Sequence, residues 1–167
     1  YPQISVNLKK ALIASEDAGF AEHSGFDWNG IKNAMQRNER SGKIRAGGST
    51  ISQQLAKNLF LSEWQSYIRK GEEAAITAML EATTDKDRIF ELYLNIIEWD
   101  YGVYGAEAAA QKFYGKPAAN LSKQQAAALA ARVPAPLYYA DHPQSKRLRN
   151  KTNIILRRMG SATLPEE

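Results

Sequence analysis

Apolar residues recur at intervals of three and four along most of this chain, and strictly alternating apolar and polar residues are nearly missing. The first such run follows Ser5 and Asn7, either of which can cap a helix, and another follows Asp27. Further helical patterns cover 66–82, 85–97, 105–113, 122–132 and 145–159. Pro134 and Pro136 are expected to end the helix over 122–132. The periodicity predicts an all-α protein with at most one short hairpin.

The composition limits the domain count and the chemistry. The chain has 167 residues, of which 44% are apolar, so one domain over 1–167 is expected. Because cysteine is absent, disulfides, thiolate zinc sites and a cysteine nucleophile are excluded. The net charge of +4 suits an anionic partner. A charge of this size does not distinguish between three anionic partners: nucleic acid, a phosphorylated substrate and an anionic membrane surface.

The stretch EDAGFAEHSGFD, residues 16–27, places four carboxylates and a histidine behind an apolar run. Glu16 and Asp17 are adjacent, so on a helix they point about 100° apart and cannot form a carboxylate dyad. Either the stretch is a helix end with surface acids, or one carboxylate is catalytic and the other holds local structure. His23 and Asp27 lack a third ligand and make a poor metal site.

The stretch GGSTISQQLAKN, residues 47–58, places two glycines and a Ser-Thr pair at a predicted helix start. Free backbone N–H groups and a positive helix end make this a candidate anion cradle. The Ser49-Thr50 pair can cap this helix, with Gln53 near the capping-box position, so a mobile loop with an ordinary N-cap is the alternative. The GKS/T order of a Walker A loop is missing. Lys57 lies two turns into the helix, on roughly the side of Ser49.

Two further stretches contain clustered charge and clustered aromatic residues. In RKGEE, residues 69–73, both cations can pair with Glu73 on one helix face. Gly71 costs a helix about 1 kcal/mol relative to alanine, which suggests that something approaches the backbone closely there. The stretch LFLSEWQSYI, residues 59–68, is either core or a patch that enters a membrane interface, where Trp and Tyr are favoured.

With these stretches in this order, the sequence resembles the peptidoglycan glycosyltransferases, family 51 of the glycosyltransferases. The family motifs EDxxFxxHxGxD and GGSTxxQQLxKN are complete at 16–27 and 47–58. The third motif, RKxxE followed by LE, matches 69–73 and 80–81. The fourth, KxxIxExYLN with later glycines, matches 86–95, Gly102 and Gly105. The resemblance covers nearly the whole chain and is nearer to the monofunctional biosynthetic transglycosylase branch than to the bifunctional penicillin-binding proteins.

The resemblance implies a fold and a location. The family fold is all-α and lysozyme-like, with a large globular lobe and a smaller membrane-facing lobe. It implies a lid over the donor site at about 40–48 and a membrane-facing stretch at about 59–68. It also implies an N-terminal transmembrane anchor upstream of Tyr1, so a single-pass protein of the bacterial inner membrane with its catalytic domain on the periplasmic face is expected.

The resemblance also implies a reaction and a set of site residues. Glu16 is expected to be the general base in polymerisation of lipid II, with a pKa raised by the preceding apolar run. Glu73 is expected to be the second catalytic carboxylate, assisting the pyrophosphate leaving group directly or through Mg²⁺ or Mn²⁺, with no obligatory cofactor. The expected donor-site residues are Ser49, Gln53, Gln54, Lys57, Arg69 and Lys70. The expected structural supports are Asp17, Phe20, His23, Asn58 and Asn95.

The implied partners are lipid II, the growing glycan strand, the membrane surface and other cell-wall synthesis proteins, and not nucleic acid. The chain departs from the family pattern at Gln65 and Lys151, where the family has Arg, and at Asp100, where it has Gly. Two other functions fit the composition. A lysozyme-like hydrolase would also use a carboxylic acid, but it needs no cationic pyrophosphate site. A non-catalytic module for anionic surfaces or nucleic acid would spread its basic residues along one face.

Overall fold

The computed structural model describes residues 3–26, 49–60 and 67–165, with the backbone alone at 60 and 67–69. The helices in this part of the chain are α1 (Val6–Glu16), α2 (Ile51–Phe60), α3 (Tyr67–Thr83), α4 (Lys86–Ile96), α5 (Ala106–Tyr114), α6 (Lys123–Arg132), α7 (Pro136–Asp141) and α8 (Lys146–Arg158). Short 3-10 turns cover Ala118–Asn120 and Met159–Ser161. The predicted all-α, lysozyme-like class is confirmed.

A two-stranded hairpin follows α4. Within the described residues it forms the β-sheet of this protein. Strands β1 (Glu98–Asp100) and β2 (Val103–Tyr104) are antiparallel, with Glu98 opposite Tyr104. Trp99 of β1 is fully buried, and its indole N–H donates to the carbonyl of Leu129 in α6 at 2.9 Å. That bond satisfies the one polar atom of a large buried side chain and fixes the hairpin on α6.

Side-chain caps determine where the first two described helices begin. The Ser5 hydroxyl accepts a hydrogen bond from the Leu8 amide at 3.2 Å, so Ser5, and not Asn7, is the N-cap of α1. At α2 the Gln53 side chain accepts from the Thr50 amide at 2.8 Å, and the Thr50 hydroxyl accepts from the Gln53 amide at 3.2 Å. This reciprocal pair is the predicted capping box.

The core lies between α1 and the carboxyl-terminal helices on one side and around α4 on the other. Leu8, Leu12 and Ile13 of α1 are fully buried, and α1 packs against α6 and α8. Helix α2 packs against α3 and α4. The carboxyl end of α1 therefore lies where these two groups of helices meet.

The structure corrects one expectation about the helices and extends another. Met79 and Ala75 are exposed although the pattern placed them inside, and the buried residues on α3 are instead Glu73 and Thr77. The face of α3 toward α2 is polar, so an apolar stripe could not reveal it. Helix α6 ends at Arg132, before the two prolines, as expected, but Pro136 also begins α7, because its fixed φ suits the first helical position.

Four other expectations concern individual segments and the membrane topology. The predicted helix after Asp27 and the lid at 40–48 lie outside the described residues, as does most of the membrane-facing stretch at 59–68. The expected single-pass membrane topology is not borne out in the part of the chain that the structure describes: no helix within 3–26, 49–60 and 67–165 is long and apolar enough to cross a bilayer.

Gly105, at the end of the hairpin, is expected to be the glycine least tolerant of substitution. It has φ +86, and an added Cβ would lie 2.7 Å from the backbone oxygen of Asn95. Gly102 has φ +69 but open space around it, so it is a matched control. We expect Gly105→Ala to lower the free energy of unfolding by about 3 kcal/mol and Gly102→Ala by about 1 kcal/mol. Chemical denaturation of both variants measures this, and equal losses would contradict the contact.

Candidate active site

A cavity of about 610 Å³ opens where α1 ends, between α2 and a wall formed by β1, the α6–α7 connection and α8. Its polar lining includes Glu16, Ser49, Gln54, Lys57, Asn58 and Lys151. Its apolar lining is Ile97, Val133, Pro134 and Pro136. The cavity thus combines carboxylate, cationic and apolar surfaces, which suits a large substrate with both sugar and anionic parts.

Glu16 is held in this cavity by two neutral donors. The Ser15 hydroxyl donates to Oε1 at 3.0 Å, and the Gln54 amide nitrogen lies 3.4 Å from Oε2. The buried Tyr93 hydroxyl donates to the Gln54 amide oxygen at 3.1 Å, which turns the amide N–H₂ toward Glu16. Both carboxylate oxygens keep lone pairs that these donors do not use, so the group can accept a further proton donor.

Burial raises the pKa of the Glu16 carboxyl above its ordinary value. The positive charge of Lys151 and the hydrogen bonds from Ser15 and Gln54 oppose the rise, and the negative charge of Asp17 adds to it. Burial as the main cause agrees with the expectation drawn from the apolar run before Glu16. A carboxylate with a raised pKa is a better general base near neutral pH than an ordinary one.

This raised pKa predicts a specific dependence of stability on pH. Between the ordinary value of 4.5 and the higher folded value, the folded chain holds a proton that the unfolded chain has lost. Glu16 therefore contributes a fall in the free energy of unfolding as pH rises through that window. We expect Glu16→Gln to lack this contribution and to have a higher free energy of unfolding than the unchanged chain at neutral pH. Denaturant titrations at several pH values measure it, with the exposed Glu22→Gln as the control.

Asp17 points away from Glu16 and ties α1 to α2. Its two carboxylate oxygens lie 2.8 and 2.7 Å from Nε2 of His23, and Oδ2 accepts from the Ile51 amide at 3.1 Å. His23 Nδ1 accepts from the Gly25 amide at 3.1 Å, so Nε2 carries the hydrogen that is donated to Asp17. Because Ile51 is the first residue of α2, this buried carboxylate positions the helix that presents Gln54 and Lys57.

A second polar network connects α2, α3 and α4 beneath the cavity. Glu81 Oε1 accepts from the Ser52 hydroxyl at 2.5 Å and from the Lys86 ammonium at 2.6 Å. Lys86 Nζ also lies 4.3 Å from the centre of the Phe20 ring, which contacts His23 edge to face. Glu81 and Lys86 belong to the third and fourth motifs, but the sequence patterns assigned them no role.

Glu73 is not among the described residues that line this cavity. It is buried on α3, and its Oε1 accepts from the Lys70 ammonium at 3.3 Å, while Lys70 itself is largely exposed. The side chain of Arg69 lies outside the described residues. Apart from its neighbours in its own helix, no described atom lies within 4 Å of where a Cβ on Gly71 would be, so the described residues do not make the close approach suggested there.

Some of the remaining predicted site residues line the cavity, and others lie outside it. Ser49 and Asn58 line the cavity with Lys57, whereas the Gln53 side chain is engaged in the cap of α2. Asn95 is exposed and donates to the carbonyl of Glu91 in its own helix. In the described ranges no three His, Asp or Glu residues are grouped to hold a metal ion.

Two charged residues that the sequence patterns did not assign to the site also line the cavity. Glu98 comes from β1, and Lys151 comes from α8. Burial lowers the pKa of the Lys151 ammonium, which the negative charge of Glu16 raises and the positive charge of Arg147 lowers further. The sequence did mark position 151, because Lys151 stands where the family pattern has Arg.

Comparison with known proteins agrees with the geometry. The family model described as Transglycosylase matches residues 1–160. A biosynthetic peptidoglycan transglycosylase of Neisseria meningitidis serogroup C is 81% identical over 99% of this chain and 71% of its own length. One from Neisseria gonorrhoeae is 76% identical over the same shares. Another from Neisseria meningitidis is 79% identical over 95% of this chain and 96% of its own. The chain therefore belongs to the transglycosylase family and is a glycosyltransferase of peptidoglycan synthesis.

Proposed function

We propose that this chain polymerises lipid II into β-1,4-linked glycan strands and releases undecaprenyl pyrophosphate, with Glu16 as the general base. Family membership supports the reaction class, since a peptidoglycan transglycosylase acts on lipid II and the glycan strand. The observation that carries the role of Glu16 is a half-buried carboxylate, with raised pKa, in one cavity with Lys57 and Ser49. Such a perturbed group in a cleft is a candidate catalytic residue.

The first chemical event is removal of a proton from the acceptor. A lone pair of the Glu16 carboxylate accepts the hydrogen of the 4-hydroxyl of the acceptor GlcNAc, and that oxygen attacks C1 of the donor MurNAc. The bond from C1 to the pyrophosphate breaks, and the configuration at C1 inverts. Ser15 and Gln54 keep the carboxylate oriented toward the cavity during this step. General bases of this kind contribute roughly 10²–10⁴ to a rate.

Negative charge develops on the departing pyrophosphate, and cations are required to stabilise it. Lys57 lines the cavity on α2 and is exposed, and it forms no ion pair with another residue of the described ranges. Ser49 and the start of α2 offer hydroxyl and backbone N–H donors to an anion. We assign Lys57 to the pyrophosphate, together with Ser49 and the α3 cations Arg69 and Lys70.

The second carboxylate, Glu73, assists the leaving group from α3. Its ion pair with the exposed ammonium of Lys70 supports this assignment, because it keeps a cation beside the buried carboxylate. If Mg²⁺ or Mn²⁺ binds, Glu73 would hold the ion, which would supply further positive charge for the leaving group. Asp17, Phe20 and His23 act through packing and hydrogen bonds that hold α1 against α2.

The test uses two substrates with the same chain. Labelled lipid II in detergent with Mg²⁺ is expected to give a ladder of glycan strands on a gel. Preformed glycan strands are expected to stay intact. Shortened strands and no ladder would contradict the proposal and indicate a lysozyme-like hydrolase. Activity on neither substrate, with lipid II binding retained, would indicate a non-catalytic binding protein.

A further inference from the structure

Lys151 is a half-buried cation on the wall of the cavity across from α2. It lies on α8, which packs against α1 and α6, whereas α2 packs against α3 and α4. No ion pair or hydrogen bond joins Lys151 to another residue in 3–26, 49–60 or 67–165. Removing an ammonium from water without a partner costs free energy, so its retention in a cavity calls for a functional explanation.

The other charged and titratable groups around Glu16 do not perform the same task. They are Asp17, which follows α1, Lys57 of α2, Tyr93 of α4, Glu98 of β1 and Arg147 of α8. Asp17 and Glu98 are acids that disfavour a second negative charge. Burial raises the pKa of the Tyr93 hydroxyl well above its ordinary value, so it stays neutral. Lys57 is exposed, which screens its charge.

We propose that Lys151 is a positioning residue that keeps the carboxylate of Glu16 ionised in the working enzyme. The two side chains line the same cavity without forming an ion pair, which leaves the carboxylate oxygens accessible to a sugar hydroxyl. A charge–charge attraction across a poorly hydrated cavity is stronger than the same attraction in water. The proposal rests on the proposed role of Glu16 as base, because only a base must be ionised before the reaction begins.

The structure supports this coupling from both partners. The positive charge of Lys151 is the largest influence that opposes the effect of burial on the pKa of Glu16. In return, burial and the positive charge of Arg147 lower the pKa of Lys151, and the negative charge of Glu16 opposes them by raising it. Each charge therefore stabilises the other, and removal of the cation leaves the burial of Glu16 unopposed. Glu16 would then stay protonated to a higher pH.

The experiment compares Lys151→Met with Lys151→Arg and with Arg157→Gln, which removes an exposed cation of the same helix that does not line the cavity. The value of kcat/KM for lipid II polymerisation is measured across pH. We expect Lys151→Met to lose about fivefold or more on the acid side and less than about twofold on the plateau. Lys151→Arg is expected to restore the acid side, and Arg157→Gln to match the unchanged chain.

A second measurement does not depend on catalysis. The side-chain carboxyl carbon of Glu16 is titrated by NMR in the free chain, and its midpoint is expected to move upward in Lys151→Met. An unchanged midpoint would overturn the proposal, as would a rise in KM at every pH without a change on the acid side, which would make Lys151 a substrate ligand. A chain that makes no polymer would defeat the proposed function, whereas the shifted midpoint would still support the coupling.

Discussion

Glu16→Gln is expected to lower the rate of lipid II polymerisation by about 10²–10⁴-fold, because an amide oxygen cannot take the proton of the acceptor hydroxyl. The side chain keeps its shape and can still accept from Ser15, so the cavity is expected to stay intact. The measurement is the initial rate of glycan ladder formation from labelled lipid II. Glu22→Gln removes an exposed carboxylate six residues away and is expected to leave the rate unchanged.

The same variant separates loss of chemistry from loss of structure. Glu16→Gln is expected to unfold no more readily than the unchanged chain at neutral pH, because the buried negative charge is gone. Binding of lipid II is expected to be retained. Ladders formed at the unchanged rate would remove Glu16 as the base, even if the reaction itself stands.

Lys57→Met is expected to lower the polymerisation rate by about 10²–10³-fold, because one cation that stabilises the departing pyrophosphate is lost. Methionine keeps most of the length of the side chain without its charge. The loss is expected mainly in kcat, since the negative charge on the leaving group grows in the transition state. Lys123→Met, at the exposed start of α6, removes the same charge away from the cavity and serves as the matched control.

A contrary result for Lys57 has a clear meaning. If Lys57→Met raises KM and leaves kcat unchanged, the ammonium binds substrate and transition state equally and does not assist departure. If it changes neither, the pyrophosphate does not lie against α2. That second outcome would contradict the donor-site assignment. The α3 cations Arg69 and Lys70 would then have to stabilise the charge on the pyrophosphate.

Local chemistry made several parts of the structure predictable. The capping box of Thr50 and Gln53 involves residues three apart, so sequence spacing alone specifies it. The two carboxylates of Glu16 and Asp17 do point to different partners, as predicted, but the helical rotation is not the reason, because α1 ends at Glu16 and Asp17 has an extended φ of −162. The role that each performs is an inference from resemblance and geometry together.

Other parts depend on contacts that no local pattern contains. The polar face of α3 is buried because α2 supplies matching groups, such as Ser52 for Glu81, and apolar periodicity cannot detect it. Pro136 fits both the end of one helix and the start of another, so tertiary context decides. The cavity joins residues as far apart as Glu16 and Lys151, which the packing of α1 on α8 brings together.

The most direct test of the central claim counts two products of one reaction. Lipid II labelled in both sugar and lipid is incubated with the chain, and new glycosidic bonds and released undecaprenyl pyrophosphate are quantified over time. The account predicts one pyrophosphate lipid released for each bond formed, and both products formed about 10²–10⁴-fold more slowly with Glu16→Gln. Release of pyrophosphate lipid without polymer, or equal yields from Glu16→Gln, would contradict it.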